Sequence, residues 1–137
     1  MIGILIITHG SLGEALISGA SHVMGKPLEQ VRSLPVSIAD EPEALLLQAR
    51  ALLKEIDSGE GVLVLSDICG GTPCNVSTRL VNPGKVEALS GANLPMMVRA
   101  LTYRGGSLSQ VAEKALSGGS EGVIRLSGGA PNAAGRS

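Results

Sequence analysis

Short apolar runs alternate along this chain with longer segments in which apolar residues recur at helical spacing. The first run, 2–7, is an almost unbroken series of Ile and Leu, a pattern typical of a strand covered on both faces of a parallel sheet. Further strands are predicted at 31–36, 61–66, 86–89 and 122–126, the last of these completing the core. The alternation predicts an α/β fold with right-handed crossovers, in which helices cover both faces of a parallel sheet.

The helical segments carry recognisable start and stop signals. Three begin at a capping box, in which Ser or Asp is followed three positions later by Glu or Gln: Ser11 with Glu14, Asp40 with Glu43, and Ser107 with Gln110. Thr72 is expected to cap a fourth helix that begins at Pro73. A fifth follows Pro95 and runs through Leu101. The expected stops are Gly25, Gly59, Pro83 with Gly84, and Gly118 with Gly119.

Length and composition restrict the class of protein. The 137 residues suffice for one domain, expected at 1–126, followed by a low-complexity tail at 127–137. With 44% hydrophobic residues, one Tyr and no Phe or Trp, the core must be aliphatic, and aromatic stacking on nucleobases is nearly unavailable. The net charge of −1 comes without a basic run. These features argue against nucleic acid and against an anionic membrane surface as partners.

The sequence predicts neither export nor membrane insertion nor a bound metal. The N-terminal run has no basic residue before it and meets His9 too soon for a signal peptide, and no apolar stretch nears the ~20 residues of a membrane span. We therefore expect a cytoplasmic protein. Cys69 and Cys74 have no His or further Cys at ligand spacing beside them, so we expect small buried thiols in a reducing compartment.

Candidate chemistry follows two of the predicted strands. His9 comes directly after the first strand, and Asp67 directly after the third. Ligands of open α/β sheets bind beyond the carboxyl ends of the strands. If these strands are neighbours, the Asp67 carboxylate would bind one ring nitrogen of His9 and leave the other free as a nucleophile. Alternatively, His9 packs in a turn and Asp67 caps local backbone. His22, on the first helix, is expected to be structural or to face solvent.

The loop after the third strand has the composition of an anion-binding turn. Gly70 and Gly71 allow backbone N–H groups to approach a phosphate, and Thr72 adds a hydroxyl at the N-terminus of a helix. A turn and helix cap without a ligand would give the same sequence. The loop lacks the Lys and the spacing of a Walker A motif, so nucleotide binding is not indicated. A hydrolase with Cys69 or Cys74 as nucleophile is disfavoured, because neither lies in a known nucleophile context.

Three segments together resemble the IIA component of the mannose family of the bacterial sugar phosphotransferase system (PTS). They are Thr8-His9-Gly10, Asp67-Ile68-Cys69-Gly70-Gly71-Thr72-Pro73 with Asn75, and Leu89-Ser90-Gly91-Ala92-Asn93-Leu94-Pro95-Met96. The similarity covers about residues 1–126. It implies an open parallel sheet with strand order 2-1-3-4 and helices on both faces. It also implies an additional antiparallel edge strand, 122–126, that is exchanged across a homodimer.

The resemblance also implies roles for the site residues. His9 maps to the phosphorylated histidine, Asp67 to the aspartate that orients its ring, and Thr72 to a hydroxyl residue. Gly70 and Gly71 are further donors to the phosphoryl oxygens. The implied protein is a phosphotransferase component in which His9, through Nε2, takes a phosphoryl group from the carrier protein HPr. It then passes the group to a histidine of a IIB partner for sugar uptake, and no cofactor is implied.

Other functions stay open at this point. The same phosphorylation of His9 would serve a regulatory phosphoprotein that controls a protein partner without sugar transport. The site would equally suit a passive anion-binding module, or a phosphoryl donor to a dihydroxyacetone kinase. The sequence specifies neither a sugar nor the downstream acceptor.

Overall fold

The computed structural model describes residues 1–127, which form four strands and five helices. The strands are β1 (Gly3–His9), β2 (Val31–Val36), β3 (Val62–Ser66) and β4 (Val86–Leu89). The helices are α1 (Leu12–Met24), α2 (Pro42–Ile56), α3 (Thr72–Leu80), α4 (Leu94–Tyr103) and α5 (Leu108–Glu121). The strands predicted at 31–36 and 86–89 are confirmed at both ends. No helix in this part of the chain is long and apolar enough to cross a bilayer.

The strands form one parallel sheet in the order β2-β1-β3-β4. This order confirms the expected α/β architecture. Because the chain moves from β1 to β2 on one side and then places β3 on the other, the strand order reverses between β1 and β3. Ile7 of β1 lies opposite Ser66 of β3, so the residues that follow these two positions meet at the same edge of the sheet. Ligands of open α/β sheets bind at such a switch point.

The two central strands are apolar on both faces because helices cover both faces. Ile4 and Ile6 pack on one side with residues of α1, α4 and α5. Leu5 and Ile7 pack on the other side with residues of α2 and α3. All of these β1 side chains are fully buried, and burial of each stabilises the fold by roughly 1.5–3 kcal/mol. The carboxyl ends of β1 and β3 are therefore held in a rigid frame.

Helix α1 begins close to where the sequence predicts, but Ser11 does not cap it. Gly10 has a positive φ of 54°, and Ser11 then adopts φ −93° and ψ 13°. An N-cap side chain reaches the next turn from an extended conformation, and Ser11 makes no such hydrogen bond. The buried hydroxyl of Thr8 replaces it by accepting a hydrogen bond from the Gly13 N–H at 2.8 Å. The predicted capping box of Ser11 with Glu14 is therefore wrong.

The other two predicted capping boxes differ in outcome. Asp40 does not cap α2, because its carboxylate accepts a hydrogen bond from the Ser37 N–H at 2.7 Å and Glu41 holds the N-cap position. This prediction is wrong because a turn within the preceding loop uses the side chain of Asp40. Ser107 does cap α5, accepting a hydrogen bond from the Gln110 N–H at 3.2 Å. That predicted helix start is confirmed.

Helix α5 continues past the glycine pair at which the sequence predicts its end. A Cβ at Gly118 would lie 2.5 Å from the Cβ of Arg99 in α4. A Cβ at Gly119 would lie 2.8 Å from the Cε of Met96 in the same helix. Both glycines are buried inside α5 and allow α4 to approach closely. They serve a helix contact rather than a C-cap, so the predicted end is wrong and the helix extends to Glu121.

The expected fifth strand, 122–126, does not form within the single chain. Among the described residues its backbone pairs with none of the four strands, and Val123 and Leu126 are 79% and 84% exposed. An apolar pattern supplies strand propensity but no pairing partner, so the prediction that this segment completes the core of one chain is wrong. Exchange of the segment between two chains stays a prediction. The predicted tail, 127–137, lies outside the described residues except for Ser127.

Candidate functional site

The side chains of His9 and Asp67 meet at the switch point of the sheet. His9 is the last residue of β1 rather than the first residue after it, and Asp67 directly follows β3. The Nδ1 atom of His9 lies 2.9 Å from Oδ2 of Asp67. The structure thus places in hydrogen-bonding contact the two residues that the sequence analysis paired.

Asp67 holds His9 through its backbone as well as its ring. Oδ2 of Asp67 also accepts a hydrogen bond from the His9 N–H at 2.9 Å, and Oδ1 accepts one from the Ile68 N–H at 2.8 Å. Burial of this side chain, which is 10% exposed, favours the neutral acid, but the hydrogen bonds from His9 and Ile68 outweigh burial and lower the pKa of Asp67. Asp67 is therefore a carboxylate at neutral pH, and it favours a proton on the facing Nδ1.

The opposite ring nitrogen of His9 faces the backbone of Gly71. A Cβ at Gly71 would lie 3.1 Å from Cε1 and 3.3 Å from Nε2 of His9. Gly71 is extended, with φ −123°, so the position is restricted by space and not by backbone conformation. When Nδ1 carries the proton, Nε2 carries the free lone pair. The His9 side chain is 56% exposed, which leaves this lone pair open to an incoming group.

Gly70 and Thr72, the other two candidate phosphate-binding residues, flank Gly71. Gly70 turns the chain at a left-handed φ of 105°. Thr72 is the first helical residue of α3, and Gly71 holds the N-cap position that the sequence analysis gave to Thr72. The predicted cap is displaced by one residue because the extended residue before a helix is the one at the N-cap. The first amides of α3, which have no partner within the helix, follow directly after Gly71 in the chain.

One residue to which the sequence analysis gave no role of its own supports this arrangement. Thr8 is buried immediately before His9, and its hydroxyl fixes the first turn of α1. On the other side of His9, the Gly10 N–H continues the sheet pairing by donating to the Val36 carbonyl at 2.9 Å. The sequence signal that could have identified Thr8 is a polar residue at the end of an otherwise apolar strand. Thr8 and Gly10 together fix the backbone on both sides of the imidazole.

The two cysteines are less buried than predicted. Cys69 is exposed and Cys74 is partly buried, and both are free thiols. The prediction of small buried thiols is wrong because the chain leaves the core directly after Asp67, at the edge of the sheet. Across residues 1–127, no group of three or more His, Cys, Asp or Glu side chains is placed to hold a metal ion.

Comparisons of the sequence identify relatives of one kind. The family model described as PTS system fructose IIA component matches residues 3–116. The PTS system mannose-specific EIIAB component of Escherichia coli (strain K12) is 34% identical over 128 residues, which are 91% of this chain and 39% of that protein. The chain therefore spans well under half the length of this curated relative. The PTS system fructose-specific EIIA component of Bacillus subtilis (strain 168) is 28% identical over 105 residues, 76% of this chain and 71% of that protein.

Solved structures similar to this chain are also IIA proteins of the phosphotransferase system. The phosphotransferase system component EIIA from Streptococcus agalactiae superposes with a TM-score of 0.82 and 26% identity, covering 93% of this chain and 98% of that chain. The mannose/sorbose specific IIA subunit from Enterococcus faecalis has the same fold, with a TM-score of 0.80, 23% identity, and coverage of 91% and 94%. The resemblance to mannose-family IIA proteins is confirmed, and the match over most of its length shows that this chain belongs to the PTS system fructose IIA component family.

Proposed function

We propose that this chain is a phosphocarrier in which Nε2 of His9 accepts a phosphoryl group from phospho-HPr and passes it to a histidine of a IIB partner. Membership of the IIA family supports the coarser part of this proposal, a component of a phosphotransferase system. The observation that carries the finer part is the 2.9 Å contact between Nδ1 of His9 and the Asp67 carboxylate. That contact leaves Nε2 as the nucleophilic atom of a side chain that is 56% exposed.

The transfer follows from the charges around the ring. The lone pair of Nε2 attacks the phosphorus in line with the departing histidine nitrogen of the donor; the new N–P bond forms as the donor's N–P bond breaks. Phosphorylated imidazole that keeps its proton on Nδ1 is cationic, and the Asp67 carboxylate stabilises that charge. The phosphoryl oxygens are expected to accept hydrogen bonds from the amides at the start of α3, near Gly71 and Thr72, where the helix dipole favours an anion.

The surroundings of His9 support a protein partner rather than a free sugar at this site. Ile68 follows Asp67 directly and is 61% exposed, and Ile38 lies just beyond the end of β2 and is fully exposed. Apolar side chains beside an exposed nucleophile suit the brief contact of two protein surfaces. The Escherichia coli relative is named an EIIAB component and is much longer than this chain. Its name supports a IIB domain as the next acceptor.

Labelling with phospho-HPr tests the proposal. Phospho-HPr carrying a labelled phosphoryl group is mixed with the chain, and the label is mapped by mass spectrometry. We expect one acid-labile, base-stable phosphate on His9, no label in His9→Ala, and full label in His22→Ala. His22 is the matched control because it is an exposed histidine on α1. Absence of label in the wild type, or label retained in a folded His9→Ala variant, would contradict the proposal.

The acceptor is tested separately. The phosphorylated chain is freed of HPr and mixed with a IIB protein, and the label on each protein is followed with time. Transfer to a IIB histidine supports the carrier role. Stable phosphorylation of His9 without any transfer would instead favour the regulatory alternative.

A further inference from the structure

A cavity lies at the amino end of the sheet, at the opposite end of β1 from His9. Its volume is about 250 Å³, and its lining comes from the end of α1, the segment 26–29 before β2, and the end of α4. Met1, just before β1, also lines it. At about 3.3 Å for each residue, the length of β1 separates the cavity from His9 by roughly 20 Å. The cavity is therefore distinct from the proposed phosphoryl-transfer site.

The walls of this cavity are mostly apolar. They include the side chains of Met24, Pro27, Leu28 and Leu101. Leu101 is 6% exposed, and Met24 and Leu28 pack against the same core cluster. The unbranched side chain of a methionine adapts readily to an occupant. Because an apolar cavity of about 150 Å³ accommodates benzene, a cavity of this size has room for about ten non-hydrogen atoms.

The guanidinium of Arg104 is held in place at the cavity by two backbone carbonyls. Its Nε and Nη2 atoms donate to the Ile2 carbonyl at 3.0 and 2.8 Å, and Nη2 also donates to the Gln30 carbonyl at 3.3 Å. These contacts use three of the five N–H groups of the guanidinium. Within the part of the chain that the structure describes, Nη1 makes no hydrogen bond. Arg104 is thus a preorganised cation with donors to spare.

Arg104 also lacks a paired carboxylate. Across residues 1–127 it forms no ion pair. Burial lowers the pKa of its guanidinium, and the charge of Glu29 raises this pKa in part; arginine stays charged in either case. A partly buried charge is unfavourable without a counter-ion. An anion that entered the cavity would supply one.

The charges around the cavity match a single negative charge. Lys26 and Arg104 are cations and Glu29 is an anion, which leaves one net positive charge. The ammonium group of Met1 is already paired with Glu60. A dianion such as a phosphate monoester would exceed this charge and would be repelled by Glu29. A carboxylate matches it.

We propose that this cavity is a binding site for a monocarboxylate with an aliphatic chain of the size of octanoate, which has ten non-hydrogen atoms. Its carboxylate accepts hydrogen bonds from Nη1 of Arg104 and from the ammonium of Lys26. Its chain lies against Met24, Leu28 and Leu101. The proposal does not depend on the phosphocarrier function, because it uses none of the residues proposed for phosphoryl transfer.

NMR of the methionine methyl groups tests where the ligand binds. Octanoate is titrated into the chain with ¹³C-labelled methionine methyls. We expect the Met24 signal to shift to saturation, with a dissociation constant on the order of 0.1–1 mM. The Met96 signal should not shift, because Met96 does not line the cavity and its Cε lies beside Gly119 of α5. An unmoved Met24 signal at 10-fold higher octanoate, about 10 mM, would overturn the proposal.

A ligand of opposite charge tests the role of the carboxylate. Octylammonium has the same aliphatic chain and carries a positive charge. Because Lys26 and Arg104 repel it, we expect it to bind at least tenfold more weakly than octanoate in the same titration. Equal shifts of the Met24 signal with the two ligands would refute recognition of a carboxylate.

Two substitutions test the cations. Arg104→Gln should weaken octanoate binding at least tenfold, because hydrogen bonds to a charged group are lost. Lys26→Glu should weaken it about fivefold. Lys54→Glu is the matched control, since it makes the same change at an exposed lysine of α2, on the other face of the sheet. Because Lys26 is exposed, its variant decides the question if Arg104→Gln does not fold. Equal losses in the two lysine variants, or unchanged binding in a folded Arg104→Gln, would contradict the proposal.

Discussion

A single carboxylate oxygen holds His9 at two points. Oδ2 of Asp67 accepts from the His9 N–H and faces Nδ1, each at 2.9 Å. The backbone contact places the residue and the ring contact selects the tautomer. Because both contacts use the same oxygen, the orientation of the imidazole is coupled to the end of β1. Gly71, whose backbone lies next to Nε2, leaves space beside this atom because it has no side chain.

Replacement of Gly71 by Ala tests the space beside Nε2. The added methyl would lie 3.1–3.3 Å from two ring atoms of His9, so we expect labelling by phospho-HPr to slow by about 10- to 100-fold. Folding should change little, because the backbone of Gly71 is extended. Gly105→Ala is the matched control, since a Cβ there meets nothing within 4 Å. Equal labelling rates in the two variants would contradict this role of Gly71.

Asp67→Asn tests the charge of the carboxylate. Loss of hydrogen bonds to a charged, buried acceptor should lower the free energy of unfolding at neutral pH by about 1–3 kcal/mol. The pKa of Asp67 is lowered in the folded state, so its contribution is present above the pKa of the unfolded chain and is lost as pH falls through the folded pKa. When both proteins are unfolded in urea from neutral to acid pH, the difference between their free energies of unfolding should therefore shrink as the pH falls. A difference that does not change with pH would contradict a charged Asp67 in the folded protein.

At the scale of the elements, Ser11 and Ser107 show that a cap depends on conformation. Both serines precede a helix and are followed three positions later by Glu or Gln. Ser107 is extended, at φ −72° and ψ 158°, and its side chain reaches the Gln110 N–H. Ser11 has ψ 13° and makes no cap bond. The same sequence signal therefore has two structural outcomes.

Alanine substitution separates the two serines. Ser107→Ala should destabilise the fold by about 1 kcal/mol, because the Gln110 N–H loses its acceptor. Ser11→Ala should stay within about 0.5 kcal/mol of the wild type, since Thr8 caps that helix. Urea unfolding at neutral pH measures both. Similar losses in the two variants would show that Ser11 caps α1 in solution.

The elements that the sequence predicts are those set by local pattern. Apolar runs located every strand of the sheet, including β2 and β4 at both ends. The caps predicted at Ser11 and Asp40 failed for local reasons, whereas the helix end predicted at Gly118 failed because of a tertiary contact. Gly118 reads as a helix stop, yet its position is fixed by the approach of Arg99 from α4. The contact between His9 and Asp67 likewise needs β1 beside β3, which local pattern cannot specify and which the family resemblance supplied.

At the scale of the whole molecule, the part of the chain that the structure describes leaves apolar side chains exposed beyond α5. Val123 and Leu126 are 79% and 84% exposed, and Ile124 is 47% exposed. All three lie in 122–126, the segment that the family resemblance assigns to an exchanged strand. Exchange would give this backbone a sheet to pair with and would bury the side chains between two chains. A homodimer is therefore our proposal for the assembled protein.

The dimer is tested by placing a charge on the exchanged segment. Leu126→Asp, and a chain ending at Gly122, should sediment as monomers at concentrations where the wild type is a dimer, because burial of a carboxylate in the shared sheet is unfavourable. Leu47→Asp is the control: Leu47 is 72% exposed on α2, on the opposite face of the sheet from α5. A monomeric wild type, or a dimer that survives the truncation, would contradict exchange. His9 and Asp67 come from the same chain, so a monomeric variant that is still labelled would show that exchange serves assembly and not phosphoryl transfer.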